Sequence, residues 1–438
     1  MKKYFISGAM LAGLMSLAAC SNDEGVVADN NGAEQQFTIT LASSGDRATR
    51  AAADRTLESE AAGQSIEKVT LVVRSQDDNK VVYIHTLDNW NGTATDYDTN
   101  GHGKKLTFTI PKADKLGEGK YVVTAVGYNE GNYNLKLPAK GDVVDKNITA
   151  ITPADAEAKE VFAGERKFNV AADKKIEGTD ASKAIQSVDV TLHRQVAGAY
   201  GYFTSIPAKI GDTDVASIRM VSRSKNTVLT FGSFNSSFTT TDANVMYMVN
   251  GSVPAGKTAK FLNGDEANVL FSAKIADWFP GGDKNNDGVY DNEDTNWTQH
   301  YTGSYLKGSV FASNFIVPFS ATKGKSTLEL QLLDAKGNVL YAWPVKLDAS
   351  NDQIGKTGET ASANLSDPST TMGFAETADV FSLFRNHIYS IGIHKQGTTN
   401  PDKTDPGTDE PTDLSKIQNV VIRVNDNWEA LHHMSIDE

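Results

Sequence analysis

The sequence predicts an all-β protein, built as two tandem antiparallel β-sandwiches and a terminal strand. Three observations carry that expectation. Apolar residues recur at every second position through most of the chain, the period of a strand that buries one face. Clusters of Gly, Asn and Asp separate these runs at hairpin-like intervals, as in DAKGN before Val339. Helical periodicity is confined to two short stretches, PADAEAKE and AETADVFSLF.

The chain opens with a segment that lies outside this fold. In MKKYFISGAMLAGLMSLAAC, Lys2 and Lys3 form a short positive region, and an apolar stretch runs from Tyr4 to Ala18. That stretch is too short, and too rich in Gly, Ala and Ser, for a stable membrane-spanning helix. It ends in Leu17-Ala18-Ala19-Cys20. Small residues ahead of a cysteine form a lipobox, so residues 1–19 read as a lipoprotein signal peptide and Cys20 as the lipid-bearing residue. Cys20 is the only cysteine among 438 residues. No intramolecular disulfide is available, and stability has to come from packing and hydrogen bonds. A polar, acidic tether follows, SNDEGVVADNNGAEQQ.

The net charge of −13 argues against nucleic acid or an anionic lipid surface as partner, because both reward clustered Lys and Arg. No other run of 18 apolar residues occurs, so no further helical span is expected.

The strands follow in order. Phe37, Ile39 and Leu41 alternate with threonines, and Val69, Leu71 and Val73 alternate in KVTLVVRS. Val81 to Ile84, then Leu106, Phe108 and Ile110, continue the pattern, and YVVTAVGY from Tyr121 reads as a fully buried strand. Further on come SVDVTLHRQ, TVLTFG, NVMYMVN, STLELQLLD, NVLYAWPVKL and NHIYSIGIHK. A composition change at residues 171–183 suggests a boundary. It divides an N-terminal sandwich at 51–180 from a C-terminal one at 181–396.

Residues 397–415 form an acidic linker in which Pro401, Pro406 and Pro411 recur every five residues. No apolar side chain lies between Gly397 and Asp413, so the stretch is expected to be extended and solvated. At ~3.1 Å per residue it would reach roughly 50 Å. The final segment, 416–438, is apolar again. Val420, Ile422 and Val424 share one face, and Trp428 and Leu431 add more surface. Such a tail either folds back onto its own domain or pairs with another molecule.

One local motif stands out. In DKNNDGVYDNED, Asp283, Asn285 and Asp287 take positions 1, 3 and 5 of a twelve-residue calcium loop, with Gly288 at the sharp turn. Val289 offers its carbonyl at position 7, Asp291 falls at 9 and Asp294 at 12. Hard oxygen donors at this spacing suit Ca²⁺; the flanks are not helical, so a regulatory pair of EF-hands is not expected. The alternative reading is a solvated acidic turn. No HExxH, GxSxG, P-loop or CxxC signature occurs, and an enzyme is not expected. Trp90, Trp278 and Trp297 could stack on sugars, but core packing is the expected role.

Taken together, several of these segments resemble Bacteroidetes fimbrillins, in particular the stalk subunits of minor fimbriae (type V pili). They are the lipobox LAAC, FTITLASSGDRATRAAADR, VDVTLHRQVAGAY, FRNHIYSIGIHK, the acidic proline linker and VVIRVNDNWEALHHMSIDE. The acid-rich tether after Cys20 likewise resembles the export signal of surface lipoproteins in that phylum. Residues 276–305 depart from the family pattern and read as an insertion. The resemblance implies two transthyretin-like sandwiches and a lipid-anchored precursor at the outer membrane. It implies an Arg-specific extracellular protease that cuts after the first strand, which makes residues 20–50 a tether, plug strand and propeptide. It also implies a homopolymer joined by the C-terminal donor strand, with accessory anchor and tip subunits. Phe37, Ile39 and Leu41 would form the plug, and Val420, Ile422, Val424, Trp428 and Leu431 the donor. Arg50 is the favoured cleavage site, with Arg47 and Arg55 as alternatives, in a small-residue stretch open to a protease. The competing expectation is a monomeric surface lipoprotein that binds polysaccharide.

Overall fold

A computed structural model describes residues 35–41, 66–96, 104–129, 137–144, 148–151, 158–172, 176–177, 186–222, 224–225, 228–231, 260–261, 268–318, 328–347, 388–394, 409–416 and 420–425, with residues 131, 133–135 and 383 between them. The fold is all-β. Among the described residues the only helical turns are Trp90–Thr93, Lys112–Asp114 and Ile275–Asp277. Cys20, Arg47, Arg50, Arg55, Trp428 and Leu431 lie outside the described residues, as do the helical stretch around Val380 and most of the one at Pro153.

The first half contains β1 (Gln35–Leu41), β2 (Lys68–Ser75), β3 (Val81–Leu87), β4 (Lys104–Thr109), β5 (Gly119–Tyr128), β6 (Phe162–Val170) and β7 (Gln186–Arg194). They hydrogen-bond in the order β3-β2-β5-β6-β7-β1-β4, with Thr95–Asp96 beyond β4. β7 is the corner strand. Its end, His193 and Arg194, pairs with β6, while Gln186–Leu192 pairs with β1. One continuous path of strands therefore bends into two layers around one core, the geometry of a sandwich. β5 is buried from Tyr121 to Gly127, as its largely apolar run, interrupted by Thr124, suggests.

The second half contains β8 (Ala197–Thr204), β9 (Ser217–Ser222), β10 (Asn268–Lys274), β11 (Val310–Ile316), β12 (Leu328–Leu333), β13 (Val339–Leu347), β14 (Ile388–Ile391) and β15 (Val420–Asn425). Their order is β10-β9-β12-β13-β15-β14-β8-β11. β11 ends the path yet is buried throughout. Its outer side is met by an isolated bridge from Ala158 to Phe315, so this edge is not left open.

The expected domain boundary after residue 180 needs correction. β7 starts at Gln186 and closes the first sheet, with Val188, Val190 and Leu192 buried in the first core. The passage to the second half comes at Arg194–Ala197. There, the Arg194 guanidinium donates to the Glu160 carboxylate and lies over the Phe162 ring, 4.8 Å from its centroid. Gln195 N–H donates to the Val161 carbonyl at 2.8 Å. A charge pair this deeply buried is costly to break from one side only, so the crossing is pinned in place. Composition pointed to residues 171–183 because polar spacer residues lie there; sheet membership depends on partners far away in sequence.

Candidate functional site

The residues singled out by sequence fall in three places: β1, β15, and the acidic loop at 283–294. β1 sits mid-sheet, parallel to β7 and antiparallel to β4. Period-2 alternation decides its faces. Phe37 and Ile39 are wholly buried, opposite Val188 and Val190 on β7 and Phe108 and Leu106 on β4. The Phe37 ring stacks on Phe108 and meets Phe168 edge-on, both at 5.6 Å. Leu41 keeps the ladder going opposite Leu192; its side chain lies outside the described features. On the other face, Thr38 hydrogen-bonds Thr107 at 2.8 Å, and Gln36 Nε2 donates to Thr109 at 3.1 Å. Burying Phe37 and Ile39 is worth ~1.5–3 kcal/mol each before ordering costs.

Gln35 was not anticipated. It occupies the inward phase of the strand and is fully buried. Its amide replaces a missing peptide: Nε2 donates to the Leu116 carbonyl at 2.9 Å, and Oε1 accepts from Leu116 N–H at 2.8 Å. The sequence does carry a signal, a polar residue in phase with Phe37, Ile39 and Leu41. The partner at Leu116 is not visible there.

β15 is seated in the second sandwich of its own chain. Val420–Ile422 run parallel to Val345–Leu347 of β13, and Arg423–Asn425 run antiparallel to Ile388–Ser390 of β14. The backbone of Val420, Ile422 and Val424 is thus placed in a sheet; their side chains lie outside the described features. Of the two readings of the tail, the single chain displays the one in which the strand folds back.

The linker departs from expectation. The extended, solvated stretch was expected to run to residue 415, but the chain is docked from Asp409 onward. Ile393 and Glu410 exchange backbone hydrogen bonds, each 2.8 Å long. Thr412–Asp413 pair in parallel with Phe203–Thr204 of β8, and Leu414 is buried. Leu414 carries no periodic signal in the sequence, being a lone apolar residue after a polar run. Although burial pushes the Asp413 carboxyl up, hydrogen bonds from Ser415 and Lys416 outweigh it and hold the group below its ordinary value.

The acidic loop has the backbone of a calcium loop. Gly288 has φ 91° and Asn286 φ 58°, both left-handed, and only glycine takes the former freely. Asp283 accepts from Asn286 N–H and Gly288 N–H, Asn285 from Asp287 N–H, and Asp287 from Val289 N–H. Asp294 is completely buried and accepts from Lys284 N–H at 2.8 Å and Asp291 N–H at 3.2 Å. Yet among the described residues no three His, Cys, Asp or Glu side chains converge as a metal site. The donors fit calcium in kind and order, since such a loop also uses an amide oxygen, here Asn285, and a carbonyl, here Val289. They do not surround a common point, so the carboxylates would have to turn inward.

The insertion that carries this loop is packed onto the second core. Trp278 is buried against Tyr301 and Tyr305, and Trp297 Nε1 donates to the Ser309 carbonyl at 2.8 Å. Trp90 is wholly buried in the first core. Trp90 and Trp278 are core residues, and Trp297 is partly buried against the second core.

Solved structures similar to this chain include several from Porphyromonas, Parabacteroides and Bacteroides. The fimbrial anchor protein Mfa2 from Porphyromonas gingivalis shares 10% identity and a TM-score of 0.34, covering 90% of this chain and 98% of its own. The tip fimbrial protein Mfa3 from the same organism, with a C-terminal truncation, shares 10% identity and a TM-score of 0.35, covering 89% and 99%. A fimbrial assembly protein from Parabacteroides distasonis shares 12% identity and a TM-score of 0.34, covering 82% and 92%. Other similar structures are described as an adhesin from Bacteroides ovatus and as polysaccharide binding proteins from Bacteroides thetaiotaomicron, at 10% and 11% identity and a TM-score of 0.37 each. At identities and TM-scores this low, neither the assembly state nor the role of this chain follows from theirs. No family model matches the chain, and no curated protein matches it.

Proposed function

We propose that this chain is a structural subunit of a cell-surface fimbria that supports adhesion. It would be exported as a lipoprotein precursor held at the outer membrane through Cys20. An Arg-specific extracellular protease would cut after Arg50, or after Arg47 or Arg55, and release the lipid together with β1. The gap between β7 and β4 would then accept the C-terminal strand of another copy. Repetition joins like subunits head to tail, and such an arrangement does not close on itself. Accessory anchor and tip subunits would occupy its ends.

The observation that carries this reading is the position of β1. A strand supplied by the N-terminal side of the chain, ahead of all three arginines, fills the middle of a sheet. Its loss would leave unpaired backbone on both neighbours and an apolar slot shaped by Val188, Val190, Leu106 and Phe108. Both are costly in water, which is the driving force of strand complementation. Val420, Ile422 and Val424 have the period of Phe37, Ile39 and Leu41. Limited trypsin treatment of the precursor, followed by a denaturing gel without boiling, tests it. A ladder of oligomers is expected, absent when residues 417–438 are deleted, and the N-terminus of the polymerised chain is expected at Ala51. Persistent monomer would sink the proposal.

A second reading, a monomeric surface lipoprotein that binds polysaccharide, is favoured by β15 being seated in its own chain. Persistent monomer with glycan affinity in the same experiment would select it. Ca²⁺ is proposed as a structural ligand of Asp283, Asn285, Asp287, Val289, Asp291 and Asp294. Excess CaCl₂ is expected to raise Tm by a few degrees and chelator to reverse it; an unchanged Tm and no bound metal would remove the ion from the account.

A further inference from the structure

We propose that Asp409–Leu414 is a clasp that roots the terminal strand on the second sandwich, so that the strand swings from a point past Lys416 and not from the proline-rich segment. This rests on the fimbrial reading, in which the terminal strand is donated to a second copy of the chain. Four observations define the clasp. The reciprocal bonds between Ile393 and Glu410 bring the two ends of residues 394–409 together. Whatever path residues 395–408 take, it begins and ends at that bridge. The Asp/Pro stretch therefore adds nothing to the distance between the sandwich and β15. Next, Thr412–Asp413 extend β8 as a parallel strand, and Leu414 N–H donates to the Thr204 carbonyl at 3.0 Å.

The third observation is a buried polar contact that faces the segment. His394 stacks on Tyr305 at 4.5 Å, and its Nδ1 lies 3.5 Å from Asp409 Oδ1; the Tyr202 hydroxyl donates to Asp409 Oδ2 at 3.3 Å. The fourth is Gly392, with φ +77°. A Cβ there would fall 2.4 Å from the Tyr202 carbonyl oxygen, and 3.2 Å from both Glu410 O and Thr412 N. The clasp closes only because this position has no side chain. Past Leu414, Ser415 and Lys416 bond back to Asp413.

The consequence is geometric. From Lys416 to Val420 an extended chain spans at most about 14 Å, in place of the roughly 50 Å of a polyproline-like spacer. A donated strand with that reach forces the two copies to abut. The first sandwich of the recipient has to sit against the end of the donor's second sandwich that carries Thr204, Asp413 and Lys416. The joint is short and stiff, not a tether between beads.

Hydrogen exchange on the full-length chain reads the clasp without any polymer. The amides of Ile393, Glu410 and Leu414 are expected to exchange ~100-fold or more slower than unstructured ones; exchange at the unstructured rate overturns the clasp. T204C/D413C, in the full chain with Cys20→Ser, locks it. Trypsin-cleaved samples, oxidised and reduced, are expected to give the same unboiled ladder. A ladder seen only after reduction means that the segment must peel away to donate, and overturns the swing point. If neither sample polymerises, the fimbrial reading falls and the swing point with it, while exchange still decides the clasp. Deleting residues 397–407 is expected to leave the ladder unchanged; losing it would restore the spacer role.

Discussion

β1 and β15 hold comparable places in the two halves of the molecule. Each lies between one parallel and one antiparallel neighbour, β7 and β4 in the first case, β13 and β14 in the second. They differ in how far they are engaged. β1 pairs with β7 along all of Gln35–Leu41 and with β4 along Gln36–Leu41. Among the described residues, β15 meets β13 through Val420–Ile422 and β14 through Arg423–Asn425, splitting its length between two layers. Under the proposed function, the strand engaged on both edges along its whole length is the plug that a covalent cut would release. The strand that shares its described length between two partners is the one that would be exchanged.

The comparison can be broken from its strong side first. Phe37→Ala removes a buried ring and leaves a cavity beside Phe108 and Phe168, so urea denaturation of the precursor is expected to show a loss of about 3–5 kcal/mol. After cleavage and release of β1 the same substitution should have no effect on the remaining domain. A persistent deficit would mean that the strand never left. Gln35→Ala strands both Leu116 groups in the core, with an expected cost of about 2–3 kcal/mol.

The weak side comes next. Deleting residues 417–438 is expected to destabilise the second sandwich by less than Phe37→Ala destabilises the first, read by denaturation with probes in each half. A larger loss would make β15 a structural strand and the monomer the better description. The smallest effect lies at the clasp. Asp413 titrates below its ordinary value of 3.8 in the fold, so its bonds to Ser415 and Lys416 favour folding above that pH. Their contribution is lost as pH falls through the lower folded value. Asp413→Asn should therefore cost about 0.5 kcal/mol at neutral pH, and nothing once both forms are protonated, as read by Tm at pH 7 and near pH 2.

Much of the fold was legible because strand alternation is local. Phe37 and Ile39 declare their buried face by spacing alone, and the largely apolar run of Tyr121–Gly127 declares a strand covered on both sides. Two expectations failed where the deciding contact was distant. AADKKIEGTDASK has the composition of a spacer and predicts a boundary before Gln186, yet β7 belongs to the first sheet through β1, some 150 residues earlier in the chain. The polar composition of the linker predicts a solvated chain through residue 415, yet hydrogen bonds dock Glu410 and Thr412, and backbone pairing leaves no mark in composition.

The sequence by itself determined the class of fold, the faces of β1 and the order of donors in the acidic loop, since each follows from the spacing of neighbours along one chain. Only the tertiary structure decided which strands flank β1, that Gln35 closes the gap at Leu116, and that the terminal strand is rooted at Leu414. Those facts depend on groups far apart in sequence meeting in a sheet, and the energy of that meeting is not written at either end alone.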